Sequence, residues 1–234
     1  DREKLKKLLK DKKQIETLRR RLASVSWFMG FLNENIARRA NKEDGVRGRF
    51  WENRYHCREC TDAKGMLLCG IYVDLNTIKA GEADSLRTAR YTSVFQRLMA
   101  QQQAADAPNR ADGWLGELTL VAGSEEDEQV VYRSRTGRRA SDLGLLTLTL
   151  DEYVWLLETT LALWQAGERR VVPQGLEALL ERLESQVEAW WKTLENYETT
   201  FCHAVGSPST LAEVAQRLGV RCLKGAPACR GVFA

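Results

Sequence analysis

Residues 48–55 read Gly48-Arg49-Phe50-Trp51-Glu52-Asn53-Arg54-Tyr55, and residues 71–76 read Ile71-Tyr72-Val73-Asp74-Leu75-Asn76. The first stretch is basic and aromatic and belongs to a short strand expected from Arg49 to Cys57. The second lies in an expected helix. Thr61 or Asp62 supplies the N-cap oxygen, the helical pattern runs to about Lys79, and Gly81 ends it. Positions i and i+4 share one face of a helix, so Tyr72 and Asn76 can point into one site. A phenol titrates near pH ~10 and is a weak nucleophile at neutral pH. It becomes useful where a metal polarises a phosphate and cations stabilise the developing charge. The Asn76 amide can offer one oxygen to Mg²⁺ or Mn²⁺. Taken alone, the same pair also describes a half-buried tyrosine and a helix-terminal asparagine.

Working outward, Leu5, Leu8, Leu9, Ile15, Leu18 and Leu22 recur at near-helical spacing, so residues 3–23 read as a basic amphipathic helix. Ser24 or Ser26 caps a second helix through about Asn41, with Trp27, Phe28, Phe31, Leu32 and Ile36 on its buried side. Residues 42–45 (Lys-Glu-Asp-Gly) break it. From about Leu98 to Arg139 the pattern dissolves into QQQAADAPNRADG and GSEEDEQ, a linker or elaborated loop, with a short apolar strand or turn at Leu115–Val121. Helical periodicity returns at 150–166, 174–194 and 209–220. Trp155, Leu156, Trp164, Trp190, Trp191 and Tyr197 fall at helical spacings and read as the core of a small bundle. The expected fold class is α+β, mainly helical with one or two short strands. The expected divisions are 1–98, a linker at 99–140, and a helical accessory region at 141–234.

The composition, 44% hydrophobic and 29% charged, is that of a soluble globular chain, and 234 residues suffice for a real core. No stretch approaches the length of an apolar membrane span, and the charged opening DREKLKKLLKDKK is not a signal peptide, so a cytoplasmic or nucleoid location is expected. The net charge of +3 conceals an asymmetry: residues 1–60 carry 17 Lys and Arg against 9 Asp and Glu. The rest of the chain is mildly acidic. A polyanion partner for the first part, or a set of solvated helix faces, accounts for this. The six cysteines are expected to be reduced thiols. Cys57-x-x-Cys60 follows His56, but no second pair follows at zinc-ligand spacing.

GRFWENRY followed by a helix holding IYVDLNTIKAG closely resembles the C-terminal part of the REP-associated tyrosine transposases. These are a branch of the single-tyrosine HUH transposases, the insertion-sequence 200 class. Gly48, Arg49, Phe50, Trp51, Glu52 and Arg54 match the first word of the family pattern, and Tyr72, Asn76, Lys79 and Gly81 the second. The stretch SWFMGFLNENIARRANKEDG resembles the family's preceding helix. LTLDEYVWLL and FCHAVGSPSTLAEVAQRLG resemble the appended region of a long-chain subgroup. The resemblance covers about residues 20–97 and 145–234.

The resemblance implies that a helix tyrosine attacks a single-stranded DNA phosphate beside a hairpin. The attack forms a 5′-phosphotyrosyl link and frees a 3′-OH, and its reversal rejoins strands. Tyr72 would be the nucleophile and Asn76 would help hold Mg²⁺ or Mn²⁺. Thr77 stands where proline is common. The family's His-hydrophobic-His metal pair is missing, since His56 and His203 are far apart in sequence. The chain opens at Asp1, so the family's sheet and its histidines are expected upstream, and this chain alone is expected to be inactive. Family members act as monomers or homodimers.

Arg38, Arg39, Arg49, Arg54, Arg58 and Lys79 are candidate DNA contacts, since Lys and Arg neutralise phosphates. Trp51 and Tyr55 are candidate stacking surfaces for unpaired bases, although strand alternation puts Phe50 and Trp51 on opposite faces. Lys4 to Lys13 read as a solvated helix face. STLAEVAQRLGV resembles the first helix and turn of a helix-turn-helix, with Ser209 or Thr210 as cap and Gly219 at the turn; no recognition helix is expected in the segment after it, which contains Pro227. Two rival readings remain: a DNA-binding protein of the same descent without catalysis, and a helical interaction protein without a nucleic-acid role.

Overall fold

The computed structural model describes residue 3 and residues 9–104, 115–116, 118–119, 144–167 and 171–232. Leu5, Leu8, residues 117, 120 and 121 of the expected strand or turn, and most of the expected linker at 99–140 lie outside the described residues. The chain divides into two units, Asp1–Cys57 and Arg58–Ala234.

The first unit is a pair of packed helices, α1 (Lys12–Leu22) and α2 (Val25–Glu43). Each starts at a side-chain cap. The Asp11 carboxylate accepts the Gln14 N–H at 2.9 Å, and the Ser24 hydroxyl accepts the Trp27 N–H at 3.4 Å. The chain then turns at Gly45 and Gly48, both at positive φ, and folds back along α2. Asn41 Nδ2 donates to the Gly48 carbonyl at 3.0 Å, and the Trp51 indole N–H to the Asn33 carbonyl at 2.9 Å.

Two expectations are corrected here. Residues 49–57 form no strand, because their hydrogen bonds go to α2 and to one another instead of to a neighbouring strand. The apolar side of α2 is exposed: Trp27, Phe28 and Phe31 retain more than half their surface, and Leu32 and Ile36 more than a third. Periodicity identified an apolar face; it did not supply anything to cover it.

The second unit is built around α3 (Ala63–Lys79). Asp62 caps it, accepting the Gly65 N–H at 2.7 Å, and Gly81 follows its end at φ +74°. Both ends fall where the sequence puts them. Immediately before it, β1 (Glu59–Cys60) pairs in parallel with β2 (Ala204–Val205), Glu59 opposite Ala204 and Cys60 opposite Val205. The first turn of α3 lies hard against β2: a Cβ built on Gly65 would come 2.1 Å from the Val205 carbonyl oxygen. No side chain fits there.

After α3 come α4 (Ser93–Ala104), α5 (Leu150–Ala166), α6 (Gln174–Arg182), α7 (Val187–Glu195), the single turn α8 (Tyr197–Thr200), α9 (Pro208–Arg217) and α10 (Ala226–Val232). The described residues are therefore mostly helical with one two-stranded parallel sheet, a coarse α+β arrangement. Leu68, Ile71 and Leu75 of α3 share one core with Leu156 and Leu157 of α5 and Trp190 and Leu194 of α7. Burying each such side chain contributes roughly 1.5–3 kcal/mol. α5 opens with a capping box: Thr149 and Glu152 each accept from the other's backbone N–H. Among the described residues, no helix is long and apolar enough to cross a membrane.

Four details depart from expectation. α4 continues through Ala104, well past Leu98, because Gln and Ala are good helix formers. The run 174–194 is two helices, broken where Glu184 takes φ +54°. α9 begins with Ser207 at the cap position and Pro208 in its first turn, ahead of Ser209 and Thr210. A short helix, α10, does follow it; Pro227 sits in its first turn, where a missing N–H breaks no helical bond, and Cys229 and Val232 are buried.

Candidate active site around Tyr72

α3 presents two faces. Its core face carries Leu67, Leu68, Ile71 and Leu75, and with them one carboxylate, Asp74, only 1% exposed. Asp74 accepts from Ser93 N at 2.9 Å, Ser93 Oγ at 2.8 Å, Val94 N at 3.3 Å and the Tyr153 hydroxyl at 2.9 Å. It thereby caps α4 and ties α5 to α3. The signal for it was in the sequence, a lone acid among apolar residues at core spacing.

The second face carries Cys69, Tyr72 and Asn76. The Tyr72 ring is half-buried and stacks on Tyr197 at 4.3 Å between centroids, with the planes 18° apart. Its hydroxyl donates to the Glu198 carboxylate. Burial, then the Glu198 hydrogen bond and charge, push the phenol up to about 12, against a smaller lowering by Arg58. Arg58 holds this corner together. Its Nε donates to the Phe201 carbonyl at 3.1 Å and its Nη2 to the Glu198 carbonyl at 3.0 Å, and its guanidinium lies 5.5 Å from the Tyr197 ring centre. The Tyr197 hydroxyl itself is driven up by burial and by Cys69.

Asn76 is exposed one turn beyond Tyr72, as their spacing requires. Lys79 is also exposed, its Nζ 5.1 Å from the Trp164 ring centre. Arg38, Arg39, Arg49 and Arg54 belong to the first unit, and all are exposed. Arg38 pairs with Glu34 at 2.5 Å, Arg39 with Glu43 at 2.9 Å, and Arg49 Nε donates to the Trp51 carbonyl at 2.9 Å. Tyr197 is buried as the helical spacing predicts, whereas Trp155 is exposed. Glu198, the partner of Tyr72, carried no signal in the sequence, being 126 positions away in a short polar turn.

The residues present do not fit a divalent cation. Asn76 offers a single neutral oxygen, and the nearest acid on the helix, Asp74, is turned into the core with its oxygens occupied. Among the described residues no three His, Cys, Asp or Glu side chains converge into a metal site. His56 and His203 are both exposed, and His56 lies in the first unit.

No family model, curated protein or solved structure matches the chain.

Proposed function

We propose that this chain is part of a single-tyrosine transposase-like protein, a HUH-type DNA strand transferase that cleaves and rejoins single-stranded or hairpin DNA through Tyr72. The observation that carries the reading is the Tyr72 hydroxyl: it sits half-exposed on the same helix face as Asn76, and its proton already points at the Glu198 carboxylate. A phenol attacking phosphorus must lose that proton, and a hydrogen-bonded carboxylate is an acceptor in place. In the proposed reaction the Tyr72 oxygen forms a bond to the phosphorus, the 3′-oxygen leaves as a hydroxyl, and the reverse step restores both. Mg²⁺ or Mn²⁺ enters only through the family resemblance, in which Asn76 would be one ligand among others that the described residues of this chain do not supply. Arg38, Arg39, Arg49, Arg54 and Lys79 are exposed cations suited to phosphate contact. Arg58 serves as a brace under Tyr197 and Glu198.

A second reading is a DNA-binding protein of the same descent without catalysis, and the elevated titration of Tyr72 favours it, since a phenol at about 12 is a poor nucleophile. One experiment separates them. The chain, alone and joined to an upstream segment carrying the family's His-hydrophobic-His pair, is incubated with a labelled hairpin oligonucleotide bearing a single-stranded flank, with Mn²⁺ present, and covalent adducts are resolved on a denaturing gel. The transferase reading expects an adduct that Tyr72→Phe abolishes while hairpin affinity is retained. Salt-dependent hairpin binding with no adduct, even when the His pair is supplied, establishes the binding-only reading. Affinity no better than for any polyanion overturns both and leaves a helical interaction protein.

A further inference from the structure

A cavity of about 240 Å³ lies where α5, α6 and α7 meet, away from Tyr72. Leu163 of α5, Leu176 of α6 and Trp190 and Trp191 of α7 line it, all of them buried, so its walls are aliphatic and indole surface. The charges on the lining are two carboxylates, Glu177 in the first turn of α6 and Glu188 in the first turn of α7, both exposed. Among the described residues no cation lines the cavity, and neither glutamate has an ion pair. Packed interiors leave few voids larger than a water molecule, and at ~30 Å³ per water this one has room for about eight. The neighbouring ring already holds a cation: Trp164 meets Trp191 edge-on at 5.9 Å between centroids, and Lys79 Nζ lies 5.1 Å from the Trp164 ring centre.

We propose that this cavity is a binding site for a small organic cation, an alkylammonium whose apolar body fills the tryptophan-lined space while its charge meets Glu177 and Glu188. Charge complementarity selects this class of ligand. Charges of one sign beside low-dielectric walls focus their field and concentrate the opposite ion, so an anion is repelled and a neutral apolar solute gains nothing from the carboxylates. A bare metal ion is a poor fit, since hard cations need several converging oxygens and this lining is mostly carbon. An alkylammonium satisfies both halves of the site. Its methyl and methylene groups leave water against Leu163, Leu176 and the indoles, and its positive charge is attracted both by the carboxylates and by the indole π-systems. None of this depends on Tyr72 being a nucleophile or on DNA binding by the first unit.

The test titrates the full chain with choline and with dimethylbutanol, its uncharged isostere in which carbon replaces nitrogen, following tryptophan fluorescence and heat of binding. The expected result is saturable choline binding at ~1 mM or below, about tenfold tighter than that of the isostere and weakened by added salt. Glu177→Gln and Glu188→Gln each reduce choline affinity, by about tenfold when combined, and leave the affinity for the isostere where it was. Glu181→Gln, on α6 but outside the lining, changes neither. Equal affinity for choline and the isostere makes the cavity merely apolar and overturns the proposal. So does choline affinity that survives the double substitution, which places the cation elsewhere, and so does an absence of saturation at ~50 mM. The comparison of choline with its isostere uses the unaltered chain, so it decides the matter even if a variant fails to fold.

Discussion

The Tyr153 hydroxyl donates to the Asp74 carboxylate at 2.9 Å, and both residues are almost wholly buried. Burial first, then the Asp74 charge and hydrogen bond, raise the phenol well above its ordinary value, which keeps Tyr153 the donor of this pair at neutral pH. Asp74→Ala strips the acceptor from Ser93, Val94 and Tyr153 together and should cost about 3–5 kcal/mol. Tyr153→Phe removes one donor of four and should cost about 1–2 kcal/mol. Urea unfolding of both variants and the double variant measures this. Additive losses would show that the two groups do not act as a unit.

Gly65→Ala tests the contact between α3 and β2. A methyl at 2.1 Å from the Val205 carbonyl oxygen cannot be absorbed by side-chain rotation, because the obstacle is backbone. The helix start must move off the strand pair, at about 1–3 kcal/mol. Gly30→Ala, where the same methyl meets nothing within 4 Å, is the control and should be neutral or slightly stabilising. Thermal unfolding of the two side by side checks the difference.

The Tyr72–Glu198 pair has a titration signature. Tyr72 stands at about 12, above the unfolded value near 10, so the folded chain holds its proton longer. The stability this provides is present below pH ~10 and lost as pH rises towards 12. Glu198→Gln removes the carboxylate charge and should bring the Tyr72 transition down, read from phenolate absorbance against Tyr72→Phe. An unchanged transition would mean burial alone raises it.

If the first unit contacts a phosphate backbone, Arg49→Ala and Arg54→Ala should each weaken hairpin affinity and reduce the log–log salt slope by ~1. Arg58→Ala should behave differently. It frees the Glu198 and Phe201 carbonyls from their donor, so it should lower unfolding stability while leaving the salt slope in place. Fluorescence anisotropy at several salt concentrations separates the two classes.

How far the sequence reached can be seen element by element. α3 and α5 were legible because their boundaries are written locally: an Asp62 cap and a terminal Gly81 in one, a Thr149–Glu152 box in the other. The break at Leu183–Gln186 was not, because no Gly or Pro marks it. The aromatic run at 49–57 has strand-like composition, yet the Trp51–Asn33 bond and the turn at Gly48 are tertiary facts that alternation does not encode. At the site, the Tyr72–Asn76 face follows from helix geometry. Glu198 and Tyr197 come from a chain segment that only folding brings to Tyr72.

Asp62 leaves one further consequence. Its Oδ1 accepts the Gly65 N–H at 2.7 Å, while its Oδ2 accepts the Ser207 N–H at 2.7 Å and the Thr210 hydroxyl at 3.0 Å. Burial raises this carboxyl, but those donors outweigh it and hold it below the usual carboxylate value. A single side chain thus begins both α3 and α9, far apart in sequence. Neither helix start can fray without releasing the anchor of the other. The amide protons of Gly65 and Ser207 should therefore exchange with solvent at matching rates and quicken together as acid neutralises the one group they share.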